Sequence, residues 1–208
     1  ENVSFDHYFA TYPTATNPAG EPQFHAKPNT PTVNGLNAAL LQHNPNSANP
    51  QRLDRSQNQT CDQNHDYTAE QNAFNHGLMD KFPETVGATG SQGGTKCDPR
   101  QVMDYYDGNT VTALWNYAQH YSMSDNSYNT SFGPSTPGAL NLVSGNTFGS
   151  TCGVLADRVY GPTPACPPAP GAATPGKSVP QGSGTVFSDP QPNYDRCDTR
   201  GTAAMGGR

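Results

Sequence analysis

Prolines interrupt the first quarter of this chain so often that little regular structure can form there. Pro13, Pro18, Pro22, Pro28, Pro31, Pro45 and Pro50 each fix φ and remove a backbone donor. Only Leu36–His43 has room for a helical turn or two. A stretch this long without elements of its own is uncommon unless functional or disordered. With apolar fixed points at Phe24 and Leu53, it reads as an ordered segment that wraps over the rest. The same interruption returns at 150–192, where Pro162–Pro180 reads as a polyproline-like loop and Thr185-Val186-Phe187 as the strand candidate. With 21 glycines, 20 prolines and only 32% hydrophobic residues, much of the chain is loop. Charged residues make up 13%, too few for charge-driven disorder.

Charge and apolar patterning exclude some partners. A net charge of −6 argues against a nucleic-acid backbone. No apolar run approaches membrane-spanning length. Oligomeric state is not readable. Cysteines stand at 61, 97, 152, 166 and 197, none in a Cys-x-x-Cys pair, so zinc and thioredoxin signatures are absent. Their loop-like surroundings suit disulfides, an oxidising compartment, and a secreted or periplasmic protein. Cys61–Cys97 is the preferred first pair; Cys152, Cys166 and Cys197 allow one more bridge among themselves. The ends, Glu1 and Gly206-Gly207-Arg208, are those expected of a piece of a longer exported chain.

Between the proline-rich stretches the periodicity predicts short helices. Phe5, Tyr8, Phe9 and Tyr12 recur at helical steps behind Ser4, a capping residue. Thr68-x-x-Gln71 has the form of a capping box, followed by Ala69, Ala73, Phe74, Leu78 and Phe82 on one face down to Pro83. Pro99–Tyr106 is a short helix, and Asn109 or Thr110 caps another that buries Val111, Leu114, Trp115 and Ala118. Tyr121–Tyr128 is a short strand candidate. Gly133 and Pro134 force a turn, and a helix beginning near Ser135 carries Ala139, Leu140, Leu142 and Val143 and ends near Ser144-Gly145. Ser135 thus stands at a helix N-terminus, where unpaired N–H groups and the helix dipole favour an anion. Taken alone, Ser135 is an ordinary cap and His65 a hydrogen-bonded structural histidine.

Several segments together resemble the bacterial phosphoesterase family of secreted phospholipases C and related acid phosphatases. They are Glu1-Asn2-x-Ser4-Phe5-Asp6-His7-Tyr8-Phe9, Asp62-x-x-His65, Glu70-Gln71-x-Ala73-Phe74-Asn75-x-Gly77-x-Met79-Asp80-x-Phe82, Met103-x-Tyr105-Tyr106, Tyr121-Ser122-Met123-Ser124-Asp125-Asn126 and Gly133-Pro134-Ser135-x-Pro137. The resemblance runs over nearly the whole chain and is most specific at the opening motif. It implies an α/β fold with an alkaline-phosphatase-like central sheet flanked by helices, here loop-rich and incomplete. It also implies a divalent metal ion held by Glu1, Asn2 and Ser135, Ser135 as nucleophile, and His65 in contact with the phosphoryl group. The metal is calcium, magnesium, zinc, manganese or iron, since oxygen ligands alone do not select one.

The implied substrate is a phospholipid or a phosphomonoester, with contact to a membrane surface in the first case. Ser135 sides slightly with the acid phosphatases, because many of the phospholipases carry Thr there. Family members are longer than this chain and begin their sheet with an apolar strand directly before the Glu-Asn pair. Their paired aspartate ligands and further histidines lie in a C-terminal half, and nothing after Tyr194-Asp195-Arg196-Cys197-Asp198 matches them. Residues 1–208 are therefore expected to be the N-terminal part of a single phosphoesterase domain, inactive alone. Two other functions compete, and composition and cysteines fit the first of them equally well. One is a non-catalytic, disulfide-stapled secreted binding or surface module. The other is a serine or cysteine hydrolase using His7, His65 or His120, for which no Gly-x-Ser-x-Gly motif exists.

Overall fold

The computed structural model describes residues 3–133 and 135–146, and the backbone of 148–150 and 184–185. The chain divides into two units, Glu1–Tyr128 and Asn129–Arg208.

The first unit opens with α1 (Phe5–Phe9), whose N-cap Ser4 accepts from the His7 N–H at 3.2 Å, as the sequence predicts. The proline-rich segment then wraps in an ordered path with one short helix, α2 (Ala38–Gln42). Asn17, at φ 52°, pairs its side-chain amide with both backbone groups of Phe24, at 2.9 and 3.0 Å. This closes a loop that drops Phe24 into a core with Tyr12 and Trp115. Strand β1 (Arg52–Leu53) runs parallel to β4 (Tyr105–Tyr106). Between them come α3 (Tyr67–Phe74), α4 (Phe82–Thr85), a tight hairpin of β2 (Ser91–Gln92) and β3 (Thr95–Lys96), and a 3-10 turn at Pro99–Met103. Helix α5 (Thr112–Ala118) then buries Trp115 completely, with its indole N–H donating to the Tyr8 carbonyl at 2.7 Å.

The second unit holds α6 (Ser135–Ser144), which ends at Gly145 with φ 73°. Strands β5 (Phe148–Ser150) and β6 (Gly184–Thr185) pair antiparallel. Cys152, Cys166 and Cys197 lie outside the described residues, as does nearly all of the loop expected at 150–192.

Several expectations need correction. No central sheet exists among the described residues, only pairs of strands two or three residues long. The described fold is mixed, helical with few strands. Recurrent prolines keep residues 13–50 out of a ladder, since a proline inside one would remove a bond, and the proline- and glycine-free runs at 51–76 and 109–132 hold short helices and irregular chain with only the two-residue strand β1. The Thr68-x-x-Gln71 capping box does not form: the helix starts at Tyr67 behind Asp66, so Thr68 already lies inside its first turn. The helix also stops early, at left-handed Asn75 and His76, with φ 41° and 56°. Leu78 is consequently exposed rather than on the buried face with Ala69 and Ala73. Pro99–Tyr106 is a 3-10 turn and a strand, not one helix. Asn109 is not a helix cap but a buried network residue, and Tyr121–Tyr128 forms no strand.

Candidate active site

His65 lies on the five-residue approach to α3, and three local devices shape that approach. The Cys61–Cys97 disulfide forms as predicted, with the Cα atoms 5.8 Å apart. The Cys61 N–H donates to Gln101 Oε1 at 2.9 Å, and the Asn64 N–H to the Val86 carbonyl at 2.8 Å. Between them, the Gln63 side chain is held at both ends. Its Nε2 donates to the Cys61 carbonyl at 2.9 Å, and its Oε1 accepts from the Ala88 N–H at 2.8 Å. The main-chain carbonyl of Gln63 lies 3.0 Å from His65 Nδ1. A carbonyl can only accept, so Nδ1 carries the hydrogen. The ring is half-buried.

A shallow depression beside this approach is lined by Asn64, Asp66, Thr68, Asn72 and Glu84. Its two carboxylates suit it poorly to a phosphate dianion.

In the second unit, α6 begins at Ser135 itself, half-buried and directly at the positive end of a ten-residue helix. Gly133, at φ 101°, turns the chain into it, in a conformation that favours glycine. Pro137 has no N–H to give, so it adds no orphan donor of its own to the first turn. Pro137 and Gly138 are buried, and Thr130 Oγ1 donates to the Gly138 carbonyl at 3.1 Å, holding the start of the helix to the chain ahead of it. A Cβ on Gly138 would stand 3.3 Å from Asn129 Oδ1.

Glu1 and Asn2, the remaining pair implied by the resemblance, lie outside the described residues, as does Pro134. Among the described residues, no group of three or more His, Cys, Asp or Glu is arranged to hold a metal ion. His65 and Ser135 belong to different units.

The profile of the phosphoesterase family matches residues 1–198. The chain belongs to the phosphoesterase family. No curated protein matches it. For this phosphoesterase, family membership implies a hydrolase acting on phosphate esters.

The structure also separates the histidines. His7 is buried between the edges of Tyr8 and Tyr106, with ring centroids 5.4 and 5.0 Å away. Burial lowers its pKa, against the opposing effect of its hydrogen bond to the Asp104 backbone. His120 Nδ1 lies 3.3 Å from the Lys27 ammonium, which can only donate, so that nitrogen accepts. His7 is thus built into the frame, whereas His120 lies exposed on the surface beside Lys27.

Sequence reasoning missed Gln63, which sits in a loop and carries no charge. It also gave no sign that Asp6 Oδ1 and His7 Nε2 would be buried without a hydrogen-bond partner among the described residues. Burial raises the pKa of Asp6. The only available signal for that pair was an acid and a histidine side by side among aromatics.

Proposed function

We propose that this phosphoesterase cleaves a phospholipid or phosphomonoester through a phosphoseryl intermediate on Ser135. The observation that carries the reading is the position of Ser135, whose hydroxyl opens α6 immediately after the Gly133 turn. Its Oγ forms the new bond to phosphorus as the bond to the leaving oxygen breaks, and that oxygen departs as an alcohol after taking a proton. Water then displaces Ser135 from phosphorus, releasing the phosphate product and restoring the hydroxyl. The first-turn amides of α6 favour the negative charge on the phosphoryl oxygens. His65, with one hydrogen on Nδ1, donates from Nε2 to a phosphoryl oxygen or to the leaving group when the ring is protonated.

Glu1, Asn2 and Ser135 are the residues that would hold a divalent cation. A carboxylate, an amide and a hydroxyl offer only oxygen, a set that fits hard divalent ions. When bound, such a cation lowers the pKa of the serine hydroxyl and screens the approaching phosphate. The Cys61–Cys97 disulfide supports a secreted or periplasmic location.

The test is Ser135→Ala in the full-length protein, with phosphoenzyme trapped from a labelled phosphate ester. Loss of the labelled intermediate is expected. Its persistence in the variant would remove Ser135 as the nucleophile.

A further inference from the structure

We propose that Gln63 is a positioning residue, which sets the tautomer and orientation of the His65 imidazole. This deepens the reading above and rests on His65 acting at the phosphoryl group. The geometry points to Gln63 because three of its polar groups act in one direction. The two ends of its amide are bound to main-chain groups on different segments, Cys61 O at 2.9 Å and Ala88 N at 2.8 Å. An amide held at donor and acceptor ends cannot flip or swing without breaking two bonds. That fixes the backbone of residue 63, and its carbonyl then stands 3.0 Å from His65 Nδ1.

The anchors are themselves fixed. Cys61 is cross-linked to Cys97 and bonded through its N–H to Gln101. Ala88 follows Gly87, where a Cβ would come within 2.4 Å of the Pro99 carbonyl and 2.5 Å of the Pro83 carbonyl. The segment carrying the Ala88 N–H is therefore packed directly against backbone. The imidazole is tied through one glutamine to a cross-linked loop and to the packed turn after α4. Ordinary helix capping would not produce this, since Gln63 lies three residues ahead of the Asp66 cap and bonds nothing in α3 that these contacts include.

The chemical consequence is specific. With Nδ1 committed to donating, a neutral His65 presents Nε2 as an acceptor, and a protonated one presents it as a donor. A loosened Gln63 would let the ring exchange tautomers and rotate. Misplacing a group that acts in the transition state lowers kcat more than it changes KM.

The experiment uses the full-length protein with 15N-labelled histidine. In the wild type at a pH where His65 is neutral, its nitrogen shifts should report the Nδ1–H tautomer. An Nε2–H tautomer overturns the proposal whether or not the enzyme turns over. Gln63→Ala should shift His65 towards a tautomer mixture. It should also lower kcat on a phosphomonoester by roughly ten- to a hundredfold with KM nearly unchanged, the scale set by loss of an orienting partner. Gln63→Glu, which keeps the acceptor for Ala88 and loses the donor to Cys61, should fall between. An unchanged tautomer and unchanged kcat in Gln63→Ala overturns the positioning role. If His65→Gln keeps full activity while the wild-type tautomer is as stated, the catalytic reading of His65 fails and the local clamp stands.

Discussion

The two hydrophobic clusters of the first unit are held by different means. Tyr12, Phe24 and Trp115 form the larger one, and it is flanked by a buried polar network. Asp107 and Asn109 are fully buried there. Asp107 Oδ2 accepts from the N–H and hydroxyl of Thr16, both at 3.0 Å, and lies 2.9 Å from Arg52 Nε. Arg52 in turn pairs with Glu21. Burial pushes the Asp107 carboxyl up, but the Arg52 guanidinium and the Thr16 and Asn109 donors outweigh it and hold it below its ordinary value. The smaller cluster, Ala69, Ala73 and Val86, buries much smaller side chains. The disulfide beside it and the Gln63 clamp supply the constraint that packing does not. A chain with little apolar surface thus compensates in two ways. Where aromatics are available, buried charges and amides tie the loops to them; where only small residues are available, a covalent link and backbone hydrogen bonds do so. The candidate catalytic histidine sits in the second kind of region.

This contrast can be broken most severely at the first cluster. Asp107→Ala should cost about 3–5 kcal/mol, because it leaves the mostly buried Arg52 without its inner partner and strands the Thr16 and Asn109 donors. Urea denaturation would measure it, and a cost under about 1 kcal/mol would show that Glu21 alone can hold Arg52.

Removing the cross-link by Cys61→Ala with Cys97→Ala comes next. Closing a loop across a sequence separation of 36 residues stabilises by about 3–4 kcal/mol on chain entropy. The expected loss lies in that range, and NMR of the imidazole and indole signals should show the disturbance concentrated at His65 rather than at Trp115. A disturbance spread evenly over both clusters would mean that the two regions are not separately held.

Gly108→Ala gives a smaller effect, about 1–3 kcal/mol from overpacking. Its Cβ would come within 2.5 Å of Trp115 Cε3 and 2.8 Å of Phe24 Cγ. A shift in Trp115 fluorescence should accompany the loss of stability, and its absence would place the strain elsewhere.

The smallest effect concerns acid. The His7 pKa is lowered from 6.5 in the folded protein, so no stability is at stake above that value. As pH falls through 6.5 the unfolded chain takes up a proton that the folded one resists, and stability is lost until the folded pKa is passed. Asp6 and Asp104 act oppositely. Their folded pKa values are raised, so their destabilising charge is relieved as pH falls towards the carboxylate range. His7→Phe should therefore flatten the loss of stability between about pH 7 and about pH 5. An unchanged slope would assign that loss to another group.

The sequence reveals what depends on near neighbours. The Ser4 cap, the α6 start at Ser135, its end at Gly145 and the ordered course of the proline-rich segment were all legible. The start of α3 was not: the Thr-x-x-Gln pattern points to Thr68 as the cap, whereas the helix begins at Tyr67 behind Asp66. Candidate site residues His65 and Ser135 came from motif resemblance, not from any local pattern of caps or periodicity. Gln63 was illegible, since its importance lies in contacts to residues on both sides of α3 and α4.

By itself, the order of residues determined where backbone geometry changes. Proline and glycine limits, side-chain caps and the Cys61–Cys97 pairing act over short range or through reactive groups with few alternatives. Only tertiary structure decided which polar residues would be buried. Asp107 meets Thr16 across 91 positions, and Trp115 meets Tyr8 across 107. Such groups are stable out of water only when distant partners satisfy them, and no local pattern records that partnership.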